Sequence, residues 1–332
     1  MERTTNAEVH ASGRDYTDEA IRSFVRDLES LRGGDLTVAL LVGCGERAVA
    51  PLREYLLNGT PRSIFQPRQR AVEALAELGA KDVLMEYLSQ HREISDAVAR
   101  FGEEAVQNSA ARELTRWLTE EVFDFLMSLA QRKILPGVIE ALAKFQRPEA
   151  VIVFLEVLAD DVSRPAAEEA LRGIAEKVKP TLLQASKPAS TPESQTPQER
   201  RRRRSVVRIL ADMVLSADDW WELKTLLEDE DTEIRIMANE IAVDCSPTQE
   251  QQQAARYLIG ALESAHWYTQ VRIQDCLLRN YTAVRDLIAR IVETRRRVVK
   301  GEPLADPVLR ILEKLQSTAE QSEAKEKRPY GN

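Results

Sequence analysis

From Thr17 onward, apolar side chains return at intervals of three and four. Ile21, Phe24, Val25, Leu28 and Leu31 stand at i, i+3, i+4, i+7 and i+10 and mark one face of a helix. Thr17 can cap it, Asp18 and Glu19 favour its positive end, and Gly33-Gly34 stops it. The same rhythm predicts helices over Ala48–Leu57, Pro67–Leu78 and Asp82–Leu88, punctuated by Asn58-Gly59 and Gly79. Further helices are expected over 103–118, 119–131, 134–145, 148–159 and 163–176. Then come 204–215, 218–228, 231–244, 248–263, 269–280, 282–299 and 305–320. Pro148 and Pro165 fall where a helix start tolerates proline. No segment alternates with the period of a strand, so an all-α chain of roughly fifteen short helices is expected.

Between the helices lies ASKPASTPESQTPQE (185–199), with three prolines and almost no apolar side chain. A segment that cannot bury apolar surface reads as a loop. The expected organisation is a disordered N-terminus (1–16), N-terminal helical repeats (17–184) and a disordered, basic loop or linker (185–203). C-terminal helical repeats (204–319) and a disordered tail (320–332) complete it.

Repetition separates an irregular bundle from a stack of helix pairs. Leu41, Leu75, Leu142, Leu171, Leu210, Ile241 and Leu277 recur at separations of 34, 67, 29, 39, 31 and 36. This approximates a period in the thirties, with one interval doubled. Asp231-x-x-Ile234-Arg235-x-x-Ala238-x-x-Ile241 resembles the second-helix signature of HEAT-like repeats, including the bilin-lyase-type repeats. Leu75-Ala76-Glu77-Leu78-Gly79 resembles their Leu-x-x-Leu-Gly junction, and Val271-Arg272 is a weaker match. The resemblance, over residues 35–300, implies an α-solenoid of stacked antiparallel helix pairs wound as a right-handed superhelix. It also implies that Asp231, Arg235 and Arg272 support neighbouring repeats. A single amphipathic pair cannot bury its apolar face alone, whereas stacked pairs share a core and expose a groove.

Charge narrows the partners. The formal net charge is −8, against a surface that grips nucleic acid or anionic lipid as a whole. Residues 1–184 carry 23 basic and 30 acidic groups and residues 205–332 carry 17 and 22, whereas residues 185–204 carry 6 and 2. The basic joint contains Arg200, Arg201, Arg202, Arg203 and Arg204, a candidate for acidic partners or phosphate. Its structural alternative is a helix start whose arginines pair with acids such as Asp212 or Glu222. A second cluster, Arg290, Arg295, Arg296, Arg297 and Lys300, lies near a helix C-terminus, where cations are favoured in any case. Trp220-Trp221 and Trp267-Tyr268 stand at helix starts. One ring of each pair is expected in the core, leaving the other as a possible contact anchor.

Catalytic patterns are missing. Gly43-Cys44-Gly45 lacks the remainder of a phosphate loop. His10, His91 and His266 are followed by Ala11, Arg92 and Trp267, so the His-Glu pairs of HEAT-like di-iron hydroxylases are absent. No Gly-x-Ser-x-Gly elbow occurs, and Cys44, Cys245 and Cys276 read as small apolar residues in a reducing compartment. Trp117 and Glu121, at i and i+4, invite comparison with HEAT-like DNA glycosylases but lack a basic groove. No cofactor, metal or catalytic residue is expected. Apolar runs such as Val38 to Val42 are far shorter than a membrane span of about 20 residues. The N-terminus has no apolar leader, so the expectation is a cytoplasmic protein with no membrane partner.

These readings converge on a non-catalytic scaffold or adaptor that binds another protein through a solenoid groove. Alternatives are a nucleic-acid binder using the arginine clusters and a HEAT-like lyase or isomerase of the bilin-attachment type.

Overall fold

The computed structural model describes residues 16–30, 33–188, 196–299 and 306–326. Among them every regular element is helical and no strand occurs. Two compact units follow one another along the chain, Met1–Ile174 and Ala175–Asn332.

The first unit contains α1 (Asp18–Asp27), α2 (Gly34–Gly43), α3 (Val49–Asn58), α4 (Gln66–Glu77) and α5 (Lys81–Ser89). These are followed by α6 (Ala97–Glu113), α7 (Glu120–Arg132), α8 (Pro136–Lys144), α9 (Val151–Val157) and the start of α10 (Arg164–Ser186). Its helices pack in two rows, α2, α4, α6 and α8 in one and α1, α3, α5, α7 and α9 in the other. The core forms between the rows because each helix turns an aliphatic stripe inward: Leu52 and Leu56 on α3, Val72 and Leu75 on α4, Val106 and Ala110 on α6, Val138 and Leu142 on α8. The α4–α5 junction follows from Gly79. With φ at +77° it enters the left-handed region, and Ala80 N–H then reaches the Leu75 carbonyl at 2.9 Å, closing the helix end.

The second unit holds the rest of α10, then α11 (Pro197–Ala211), α12 (Ala217–Leu223), α13 (Thr232–Cys245), α14 (Thr248–Ala261), α15 (Trp267–Arg279), α16 (Tyr281–Val299) and α17 (Pro307–Glu326). Here α11, α13, α15 and α17 pack in succession, and α14 packs on α16. Polar ties join alternate helices in both units. Arg70 of α4 binds Asp35 of α2 at 3.1 Å, Arg116 after α6 binds Glu77 of α4 at 2.8 Å, and Lys179 of α10 binds Asp219 of α12 at 3.0 Å.

Several expected boundaries move. Helix α6 begins at Ala97, not 103, because Asp96 accepts from Val98 N–H at 3.2 Å and Ala99 N–H at 3.3 Å and so caps it. The expected loop over 185–203 is helical at both ends. Helix α10 runs through Pro180 to Ser186, with Val178, Leu182 and Leu183 keeping its buried stripe. Helix α11 starts at Pro197, where Thr196 accepts from Glu199 N–H at 3.1 Å. Thr-Pro-x-Glu is a helix-start signal, and the arginines that follow are good helix formers. Residues 320–326, expected to fray, continue α17. Trp117 and Glu121 do not share a helix face. Trp117 ends a short 3₁₀ turn at φ −118° and ψ 87°, and Thr119 caps a new helix before Glu121. Residues 1–15, Leu31, residues 189–195, Lys300 and the end of the tail from 327 lie outside the described residues, as does His10.

Candidate functional site

The consecutive arginines meet different environments because a helix rotates by about 100° per residue. Arg203 is buried. Its guanidinium pairs with Asp229 and donates to the Ser186 carbonyl at 3.1 Å. Arg204 binds Asp231 at 2.6 Å and Glu233 at 3.6 Å, and Arg202 binds Glu199 at 2.8 Å. Arg201 is half-buried and also interacts within the chain. Arg200 alone of the five is exposed. The partners include Glu199, Asp229, Asp231 and Glu233, while Glu222 binds Lys187 at 3.2 Å. In the second cluster Arg295 binds Asp306 at 2.8 Å and also Glu263, Arg296 binds Glu313 at 2.8 Å and Arg297 binds Glu293 at 3.1 Å, whereas Arg290 donates to the Asp286 carbonyl at 3.2 Å.

The two aromatic pairs differ. Trp220 is fully buried and its indole N–H donates to Glu250 at 2.9 Å, while Trp221 is exposed with the Lys224 ammonium 4.5 Å from its ring centre. Trp267 and Tyr268 are both on the surface, 74% and 55% exposed, which corrects the expectation of one inward ring. They occupy the first turn of α15, ahead of its buried residues Ile273, Cys276 and Leu277, and stack edge to face at 6.0 Å.

Beside that turn a groove of about 750 Å³ runs past the start of α13, the end of α14 and the first turn of α11. Arg200, Arg256, Tyr257 and His266 line it. One wall is held rigid by Arg235, which donates to the carbonyl of Glu230 at 3.1 Å, to Thr232 Oγ1 at 2.9 Å and to the Tyr257 hydroxyl at 3.2 Å. Asp231 fixes the start of α13 by accepting from Glu233 N–H at 2.9 Å and simultaneously holds Arg204 of α11. Arg272 acts elsewhere, joining α15 to Glu240 of α13. Of the candidate partner-binding and repeat-supporting residues, the groove gathers Arg200, Arg204 and Asp231, with Arg235 bonded to its lining residue Tyr257. Trp220, Trp221, Trp267, Tyr268 and Arg295–Arg297 are not among the residues that line it.

Sequence reasoning missed two buried charge pairs and the buried partner of Arg272. In the first unit Arg68 pairs with Glu103, Tyr87 donates its hydroxyl to the same carboxylate at 2.8 Å, and Arg68 also donates to the Leu56 carbonyl at 2.8 Å. Burial pushes the Tyr87 phenol far above its usual range. Arg203–Asp229 is the second-unit counterpart, and the half-buried Arg272 pairs with the buried Glu240. Burial raises the Glu240 carboxyl to about 7, against the opposing pull of Arg272. One signal was available: Arg68 precedes Ala71, Val72 and Leu75 at helical spacing, so it stands on the apolar stripe. Arg203 does the same with Val206, Val207 and Leu210.

The cysteines sit in poorly reactive settings: burial raises Cys276 strongly and Cys245 to about 11. Among the described residues, no group of three or more His, Cys, Asp or Glu side chains is arranged to hold a metal ion. No helix among them is long and apolar enough to cross a membrane. No family model matches this chain, and no curated protein is significantly similar to it.

Proposed function

We propose that the protein is a non-catalytic scaffold or adaptor of the HEAT-like α-solenoid type, its helix pairs antiparallel and its superhelix right-handed, binding another protein in the cytoplasm through a groove. The observation that carries this reading is the two-row packing with polar ties between alternate helices. Such ties span 35 residues at Arg68–Glu103 and 32 at Arg272–Glu240, close to the sequence period. An array built this way puts its stability into neighbour-to-neighbour contacts and leaves long faces for recognition. Exposed apolar side chains on those faces, such as Phe101, Ile152 and Trp267, supply contact surface.

Affinity capture of the tagged chain from its own source, with and without nuclease and followed by crosslink mapping, tests the proposal. A protein that survives nuclease and crosslinks to successive helix pairs is expected. Recovery of nucleic acid, with proteins lost on nuclease treatment, overturns it in favour of the nucleic-acid reading. A small pigment-like molecule co-purifying with the chain would favour the lyase reading instead.

A further inference from the structure

Helix α2 is apolar all round, yet the chain covers only part of it. Its ten residues include one charged side chain, Asp35. Thr37, Val38 and Leu41 are buried, and α2 packs on α1 and α4. Leu36, Ala39, Leu40 and Gly43 are exposed, Leu36 by 74% and Leu40 by 37%. These four stand at i, i+3, i+4 and i+7 and so form one strip along the helix. By contrast α1 exposes Asp18, Glu19, Arg22, Arg26 and Asp27, α4 exposes Gln66, Glu73 and Glu77, and α8 exposes Lys144. Helix α2 also opens its row, with α4 as its row neighbour on one side and none on the other among the described residues. A helix apolar on every side belongs in an interior, and the end unit of a helical array ordinarily turns a polar face outward.

We propose that this strip is covered by the same strip of a second copy of the chain, the two α2 helices running antiparallel about a twofold axis. The axis passes between Ala39 and Leu40. Leu40 of one copy then faces Ala39 of the other, and Leu36 of one faces Gly43 of the other. Each large side chain meets a small one, so a single strip supplies both the knobs and the holes that a self-complementary contact needs. The hole is open, since a Cβ on Gly43 would meet nothing within 4 Å. Charge agrees with this pairing. The strip holds no ionised group, and Asp35 beside it is bound by Arg70 at 3.1 Å. The antiparallel arrangement sets the two copies of Asp35 about 14 Å apart along the helices, beyond the screening length of about 8 Å. With α2 only about 15 Å long, the strip is smaller than the roughly 800 Å² per partner of a standard interface. The dimer therefore forms at raised concentration and dissociates on dilution, whichever other protein the array binds.

Sedimentation velocity of the full chain from about 1 μM to about 300 μM tests the pairing. A monomer–dimer equilibrium is expected. Leu40→Glu should weaken it about tenfold or more. Gly43→Leu should do the same, because it fills the hole, although it makes the strip more apolar. Mixing Leu40→Glu with Ala39→Lys should restore a dimer that neither variant forms alone, since the new carboxylate and ammonium then face each other across the axis. A wild type that stays monomeric over the whole range overturns the inference, whether the chain's own first residues or a different protein then covers the strip. So does a dimer that survives Leu40→Glu, one that tightens with Gly43→Leu, or a mixture that stays monomeric. Circular dichroism checks that the variants fold. If Leu40→Glu or Ala39→Lys does not, Leu36→Lys and Gly43→Glu, at two exposed positions that face each other in the same pairing, replace them under the same criteria.

Discussion

Arg68 and Glu103 stand 35 residues apart in the chain and meet as a buried ion pair between α4 and α6. Their side chains are 7% and 2% exposed, so both charges have left water and depend on each other. Tyr87 and the Leu56 carbonyl bond to them, Arg92 stands 3.9 Å from Glu103, and Arg68 Nε is left without a hydrogen-bond partner. The pair specifies which helix lies beside which, since only this register satisfies both ions.

Removing one partner strands the other. Glu103→Gln or Arg68→Met is expected to cost about 3–5 kcal/mol in urea unfolding. The triple change Arg68→Met/Glu103→Leu/Tyr87→Phe should recover much of it, because apolar groups of similar volume replace the pair while Arg92 keeps its bond to the Gly59 carbonyl. Single variants within about 1 kcal/mol of wild type would show that the pair is hydrated.

Close helix approach predicts opposite effects for two glycines. A Cβ on Gly137 of α8 would overlap the backbone carbonyl of Asn108 on α6, whereas one on Gly260 of α14 meets nothing within 4 Å. Gly137→Ala should lower the melting temperature. Gly260→Ala should raise stability by up to about 1 kcal/mol through helix propensity. Equal effects would refute the packing difference.

Glu240 should make stability depend on pH. Its carboxyl lies above its ordinary 4.5, at about 7, chiefly because burial disfavours the charge. The folded state therefore holds this proton more tightly than the unfolded chain. The contribution is complete below pH 4.5 and is lost as pH rises through 7. Glu240→Gln is expected to raise the melting temperature at pH 8 relative to wild type, with a smaller difference at pH 5. A loss of stability at pH 8 would mean that the Arg272 pairing outweighs burial.

The tryptophans separate core from surface. Trp220→Ala should destabilise by about 3–5 kcal/mol, since it empties a fully buried site and frees Glu250. Trp221→Ala and Trp267→Ala should stay within about 0.5 kcal/mol of wild type, as expected for exposed positions. Chemical denaturation of the three variants decides it.

The helical class, most helix locations and the spacing near the mid-thirties followed from sequence alone, because a 3.6-residue period in apolar positions is a local property read one helix at a time. Glycine stops such as Gly79 were legible for the same reason. Ends set by a single capping side chain were harder: Asp96 and Thr196 begin helices within stretches whose apolar pattern is weak. Tertiary structure alone decided how each charge is used. Arg200 and Arg203 are three residues apart in one helix, yet one is exposed on the surface and the other is a buried ion bound to Asp229. Trp220 and Trp267 both stand near helix starts, yet one is wholly buried and the other mostly exposed. Local pattern gives the face a residue occupies on its own helix, but burial depends on which neighbour covers that face. For the candidate groove, that neighbour is brought in by pairing between helices some thirty residues apart.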